Sequence, residues 1–212
     1  MDTTEGRSAS PEPEPKIIGI TGGIGSGKST VAKIIKKNGF PIYSSDERAK
    51  EIVNDNPILK SKIVELLGEN AYDENGIYNR KWVASLVFNN NDLLKKLNEL
   101  IHPAVKEDFQ KWIKQQNKDF IFKETALLFE LGLDKDCHQS LLVTAEDNLR
   151  MKRVMDRDGK TYREVEAVMA KQMPEKDKIK RADFIIYNNE GIDELASETE
   201  KILQEITQHT TI

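Results

Sequence analysis

At residues 22–29 the chain reads GGIGSGKS, which agrees with the pattern G-x-x-x-x-G-K-[ST] at every fixed position. Glycines let a backbone curl until successive N–H groups point inward at one phosphate group. A helix expected to begin near Lys28 would add its positive dipole end at the same place. The stretch is therefore predicted to be a phosphate loop that binds a nucleoside triphosphate.

The residues of the phosphate loop have separate expected roles. Lys28 is placed to reach the β- and γ-phosphates, and the Ser29 hydroxyl can be a ligand of Mg²⁺. Such loops occur in kinases, GTPases and motor ATPases, so the loop alone does not identify a reaction. A GTPase is disfavoured because the sequence lacks the guanine-reading pattern Asn-Lys-x-Asp. The residues predicted to contact ATP in this stretch are Gly23, Ile24, Gly25, Ser26, Gly27, Lys28, Ser29 and Thr30.

Apolar residues on both sides of the loop predict a strand, the loop and then a helix. The run at 17–20 is typical of a strand buried on both faces. After the loop, Val31, Ile34 and Ile35 share one helical face, and this helix should end near Gly39. This is the context in which a phosphate loop is expected.

Strands and helices continue to alternate along the chain. Ser45 can cap a helix after the second strand, and a capping box at Thr161 and Glu164 opens a helix that runs to about Gln172. The order predicts a three-layer α/β/α fold with a mainly parallel sheet, like that of P-loop nucleoside kinases. Further strands are expected at 40–43, 120–129, 141–144 and 184–187, with mostly helical structure at 57–116 and a closing helix at 192–206.

The predicted organisation is a single domain at 16–206 between two tails. The tail at 1–15 is rich in Ser, Thr, Glu and Pro, so we expect it to be disordered, and a C-terminal tail follows at 207–212. The domain would divide into a core at 16–56, 118–147 and 182–206, a helical acceptor-binding insertion at 57–117 and a lid at 148–181.

Composition limits the classes of partner. Of the 212 residues, 38% are hydrophobic and 32% charged, as in globular proteins, and no apolar run approaches the ~20 residues of a membrane span. The formal net charge of −4 argues against general nucleic-acid binding. Residues 148–181 nevertheless carry 11 basic and 6 acidic side chains, which favours a small polyanion such as ATP. No secretory signal begins the chain, and a single cysteine, Cys137, fits a reducing compartment, so a cytoplasmic protein is expected.

Motifs beyond the loop resemble those of the dephospho-coenzyme A kinase family, over roughly residues 16–206. Residues 21–30, TGGIGSGKST, look like that family's phosphate loop, and Asp46 stands at the second acid of its Asp-x-Asp. Two positions depart from the family, since Ser44 stands where the first Asp is common and Ala126 where Pro is common. The other matching positions are Ile101-His102-Pro103, Leu127-Leu128-Phe129-Glu130, Arg150, Arg157, Gln172, Ala182-Asp183 and Asn188.

The resemblance implies Mg²⁺-dependent transfer of the ATP γ-phosphate to the ribose 3′-hydroxyl of dephospho-coenzyme A. The products would be coenzyme A and ADP. It also implies catalytic roles for Lys28, Arg157 and Asp46, with Asp46 orienting or deprotonating the acceptor hydroxyl. The further residues implied are Arg150 and Asn188, with Arg157, for ATP binding, and Arg80, His102 and Glu130, with Asp46, for acceptor binding.

Two alternatives remain open at the level of sequence. The first is another small-molecule or nucleoside monophosphate kinase with the same core, which would differ in its acceptor. The second is a nucleotide-binding module without transfer chemistry, which would bind ATP but show no acceptor-dependent turnover.

Overall fold

The computed structural model describes residues 14–88 and 90–208. Most of both predicted tails, residues 1–13 and 209–212, lies outside the described residues, as does Asn89. The described part of the chain forms a five-stranded sheet in the order β2-β3-β1-β4-β5, and every neighbouring pair is parallel. The strands are β1 (Lys16–Thr21), β2 (Ile42–Ser44), β3 (Phe120–Glu124), β4 (Gln139–Thr144) and β5 (Phe184–Tyr187).

Helices cover both faces of this sheet, as the predicted three-layer fold requires. The α-helices of the described residues are α1 (Lys28–Lys37), α2 (Ser45–Asp55), α3 (Pro57–Leu67), α4 (Arg80–Val87), α5 (Asn91–Ile113), α6 (Asp147–Asp158), α7 (Tyr162–Ala170), α8 (Glu175–Arg181) and α9 (Ile192–Gln208). No helix in this part of the chain is long and apolar enough to cross a membrane.

Two apolar clusters hold the layers together. On one face, Ile18 and Ile20 of β1 pack with Val31 of α1 and Leu203 of α9, all of them buried. A second cluster joins Ile121 of β3 to the buried sides of α2, α3, α4 and α5. Burial of these side chains is the main free-energy gain that keeps the helices on the sheet.

The parallel topology brings the carboxyl ends of β1, β3 and β4 to one edge of the sheet. Because β1 is paired in parallel with both β3 and β4, their carboxyl ends lie side by side. The phosphate loop leaves β1 at this edge, and residues after β2 and β3 emerge next to it. Ligands of such sheets bind beyond the carboxyl ends of the strands, so the fold itself indicates where the site should be.

The predicted strand at 120–129 was wrong beyond Glu124. The pairing of β3 ends where β1 becomes the phosphate loop and β2 becomes α2, and the last backbone hydrogen bond to a neighbouring strand runs from the Thr125 N–H to the Ile20 carbonyl. The chain instead turns, and Leu131 donates its backbone N–H to the Leu127 carbonyl. Leu128 and Phe129 stay buried in that turn, which explains the strand-like apolar pattern.

The first turn of α2 also differs from the prediction. Ser44, not Ser45, occupies the N-cap position, and its side chain does not cap the helix. Its hydroxyl donates a hydrogen bond to Glu124 instead. The capping box at Thr161 and Glu164 is confirmed, although α7 ends at Ala170.

Candidate active site

The phosphate loop lies between the carboxyl end of β1 and the N-terminus of α1, as its sequence predicts. Its tight turn is closed by the Ser26 N–H, which donates to the Gly23 carbonyl at 3.1 Å. Gly27 has a φ of +93°, and a Cβ at that position would lie 2.1 Å from the Asn188 amide nitrogen. A larger residue at position 27 would therefore be strained and would collide with Asn188.

Asn188 supports the loop from behind. Its buried side-chain amide donates to the Ser26 carbonyl at 2.8 Å, and its backbone N–H donates to the Thr144 carbonyl at the end of β4. Asn188 therefore links the loop to the sheet, and it does not line the cavity in front of the loop. Its predicted contact with ATP stays a prediction.

Lys28 is the electrostatic centre of the site. Its Nζ lies 2.8 Å from Glu124 Oε1 and 3.3 Å from Asp46 Oδ2. The Lys28 side chain is only 11% exposed and that of Glu124 only 9%, whereas Asp46 is 45% exposed. A nearly buried ammonium thus pairs with two carboxylates after β2 and at the end of β3, and the more exposed of the two is Asp46.

Glu124 was missed in the sequence because it lay inside the stretch read as one continuous strand. Its carboxylate accepts a hydrogen bond from Ser44 and pairs with Lys28. A carboxylate at the carboxyl end of a strand next to a phosphate loop is where P-loop enzymes commonly hold their Mg²⁺. The acid after four largely apolar strand residues was the signal that could have identified it.

The donor set fits Mg²⁺. This ion usually takes one or two carboxylates, several waters and substrate phosphates, rather than a complete protein cage. Among the described residues no group of three or more His, Cys, Asp or Glu side chains could hold a metal ion. Glu124, Asp46 and the Ser29 hydroxyl are the groups nearest the loop that could share it with phosphate oxygens.

A cavity of about 470 Å³ opens in front of the phosphate loop. Arg157, predicted to act in catalysis, lines it, and its ion pair with Asp158 raises the pKa of the guanidinium. Arg153 lines the same cavity and donates to the Asn188 carbonyl at 3.0 Å. Sequence reasoning missed Arg153, although its spacing of one helical turn from Arg157 on α6 was the available signal. The other lining residues are Gly22 to Thr30, Ala126, Val168 and Gln172.

Arg150 does not lie in this cavity. Its side chain is 3% exposed and its Nη1 is 2.9 Å from Glu175, while its Nε donates to the Ile24 carbonyl at 3.1 Å. The structure therefore separates the two arginines that the sequence placed together, with Arg157 in front of the loop and Arg150 behind it.

The residues predicted to bind the acceptor are dispersed, and none of Arg80, His102 and Glu130 lines the cavity at the loop. Arg80 begins α4 and donates to the Lys50 carbonyl at 2.9 Å. His102 is exposed on α5, which continues through the following proline, and partial desolvation of its ring lowers its pKa. Glu130 pairs with the buried Lys178 at 3.2 Å. Their acceptor contacts stay predictions.

The sequence is similar to those of known proteins over most of its length. A family model described as dephospho-CoA kinase matches residues 16–194. The dephospho-CoA kinase of Fusobacterium nucleatum is 36% identical over 191 residues, covering 90% of this chain and 98% of the relative. That of Chlorobaculum tepidum is 37% identical over 199 residues, covering 91% and 95%.

Solved structures also resemble this chain over most of its length. TT1252 from Thermus thermophilus has a TM-score of 0.81 and 34% identity, with 94% of this chain and all of that chain covered. The dephospho-CoA kinase from Campylobacter jejuni has a TM-score of 0.69 and 28% identity, with 92% and 98% covered. The shikimate kinase from Acinetobacter baumannii, at 0.53 and 14%, shares the fold alone. With its phosphate loop, strand-end acids and family match taken together, the chain belongs to the dephospho-CoA kinase family.

Proposed function

We propose that this protein transfers the γ-phosphate of ATP to the ribose 3′-hydroxyl of dephospho-CoA, giving CoA and ADP. The observation that carries the proposal is the meeting of Lys28 with Asp46 and Glu124 at the mouth of the phosphate loop. Family membership supports dephospho-CoA as the acceptor and ATP as the donor. Because ATP is supplied inside cells, we also propose a cytoplasmic location.

Phosphoryl transfer requires positioning and charge neutralisation more than covalent chemistry. On ATP binding, Lys28 would exchange its carboxylate partners for the β- and γ-phosphates. Asp46 would then be free to accept a hydrogen bond from the attacking hydroxyl, which it can reach because it is the more exposed acid.

The proposed Mg²⁺ would be held by the Ser29 hydroxyl and, directly or through water, by Glu124 and Asp46. When bound, it would neutralise charge on the β- and γ-phosphate oxygens. Arg153 and Arg157 line the same cavity and would add two positive charges near the phosphates. We retain residues 148–181 as the proposed lid and 57–117 as the proposed acceptor-binding insertion.

The identity of the acceptor is the decisive test of this function. In a coupled assay of ADP release with Mg-ATP, we expect dephospho-CoA to give the highest kcat/KM and AMP, adenosine and shikimate to be poor acceptors. A Lys28→Ala preparation, purified identically, would report any contaminating kinase. Equal or faster turnover of AMP would contradict the proposed acceptor. ATP binding without turnover of any acceptor would favour a non-catalytic module.

We expect Mg-ATP to close the lid. Arg157 and Val168 line the same cavity as the loop, so phosphate charge should draw this segment inward. Amide-exchange protection in residues 148–181 should then rise more than in the helices between 57 and 116. Lys28→Ala at the same ATP concentration serves as the control. An unchanged exchange rate in residues 148–181 at saturation would argue against a lid.

A further inference from the structure

The peptide of Ile24, at the tip of the phosphate loop, is held at both of its polar groups. Its N–H donates to Gln172 Oε1 at 3.0 Å, and its carbonyl accepts from Arg150 Nε at 3.1 Å. Both partners are more than 120 residues away in sequence. The tip of the loop therefore depends on side chains from the segment after β4 for its position.

Arg150 fills the space directly behind the loop. Gly25 has a φ of +77°, and a Cβ on it would lie 2.3 Å from the Arg150 carbonyl oxygen. The guanidinium is buried, and it lines a separate cavity with Glu175 and not the cavity at the phosphates. Arg150 is consequently in contact with the loop backbone but does not line the cavity in which the ATP phosphates are proposed to bind.

Glu175 orients this guanidinium. Its Oε2 lies 2.9 Å from Arg150 Nη1, and its Oε1 is buried without a hydrogen-bond partner among the residues described. Asp147 provides a second, exposed carboxylate at 3.2 Å. A largely buried carboxylate with one charged partner depends strongly on that partner, so Arg150 and Glu175 should act as a unit.

We propose that Arg150 is a positioning residue, held by Glu175, that fixes the tip of the phosphate loop through the Ile24 carbonyl and thereby sets nucleotide affinity. It acts on ATP through the loop and not by contact with it. The inference rests on the proposed ATP site. It does not depend on the identity of the acceptor, since nucleotide binding can be measured with no acceptor present.

The first test compares nucleotide affinity by calorimetry, with Mg-AMP-PNP as the probe. Arg150→Met should weaken binding by about tenfold to a hundredfold, the scale of a lost charge-assisted hydrogen bond. Lys118→Met is the control, because Lys118 is an exposed cation before β3, outside the proposed lid, with no polar side-chain contact among the described residues, and it should leave affinity unchanged. Glu175→Gln should weaken binding in the wild type but have no further effect in the Arg150→Met background.

The second test measures amide exchange of the nucleotide-free protein. In Arg150→Met, peptides covering residues 22–28 should exchange faster, while those of β1 and β4 should not change. Faster exchange across the whole sheet would indicate a general loss of stability and overturn the proposal. Weaker binding with unchanged exchange in the loop would indicate direct contact with ATP and would overturn it too.

If Arg150→Met does not fold, the same binding and exchange measurements can be made on Arg150→Lys. A lysine can keep the ion pair with Glu175, but it lacks the planar fork that also reaches Ile24. Binding of Mg-AMP-PNP should therefore still weaken, and exchange at residues 22–28 should still accelerate. Affinity within about twofold of the wild type, less than the loss of a typical hydrogen bond, would refute the role of the Ile24 contact.

Discussion

Replacing Lys28 with alanine is expected to remove most phosphoryl transfer, lowering kcat by at least about 10²–10³-fold, the scale of deleting one electrostatic donor. Lys28 has two tasks in this structure. It would balance charge on the transferring phosphate, and it already forms ion pairs with Asp46 and Glu124. Without it, two carboxylates would face the incoming triphosphate, so ATP affinity should fall as well.

Single-turnover kinetics with Mg-ATP and dephospho-CoA would measure the Lys28→Ala effect on chemistry, and calorimetry would measure its effect on binding. Lys33→Ala is a suitable control because Lys33 is an exposed lysine on the same helix without an ion pair among the described residues. Lys33→Ala should be close to wild type in both assays. A Lys28→Ala enzyme with a near-normal rate and normal Mg-ATP dependence would mean that this loop is not the catalytic one.

The second large effect is expected at Asp46, where Asp46→Asn should lower kcat by about 10²–10⁴-fold, the usual range for a general acid–base group. A ribose hydroxyl is a poor nucleophile, and its proton must leave as the new P–O bond forms. Asparagine keeps the size of the side chain and can still accept from the Ala126 N–H, as Asp46 does at 3.2 Å. It cannot take a proton, and it also loses the ion pair with Lys28.

Equilibrium binding separates chemistry from affinity at Asp46. The affinity for Mg-ATP should change by less than about tenfold, since phosphate contacts come mainly from the loop and Lys28. Asp55→Asn makes the same change at the exposed far end of α2 and should leave kcat unaltered. Ser44→Ala should cost less than Asp46→Asn, although the Ser44 hydroxyl orients Glu124. An Asp46→Asn effect that acted only through lost ATP affinity would make Asp46 a structural residue.

Much of this fold followed from local patterns. The phosphate loop, the helix from Lys28 and the capping box at Thr161 depend on residues within a few positions of one another, so the sequence is sufficient to predict them. The prediction of a strand at 120–129 was wrong after Glu124 because apolar residues buried in a turn and apolar residues buried in a strand give the same sequence pattern. Only the position of the neighbouring strands shows where pairing stops.

The sequence by itself thus determined the phosphate loop, the α/β class and the family to which the chain belongs, because these are carried by short motifs in a set order. The tertiary structure decided which arginines of α6 line the cavity at the phosphate loop and which acids pair with Lys28. Arg150 reaches the loop across 126 residues, and Glu124 reaches Lys28 only because parallel pairing aligns the ends of β1 and β3. Such contacts are set by the packing of distant segments, since a helix presents different residues to each of its neighbours. No local spacing encodes which face of α6 meets the phosphate loop.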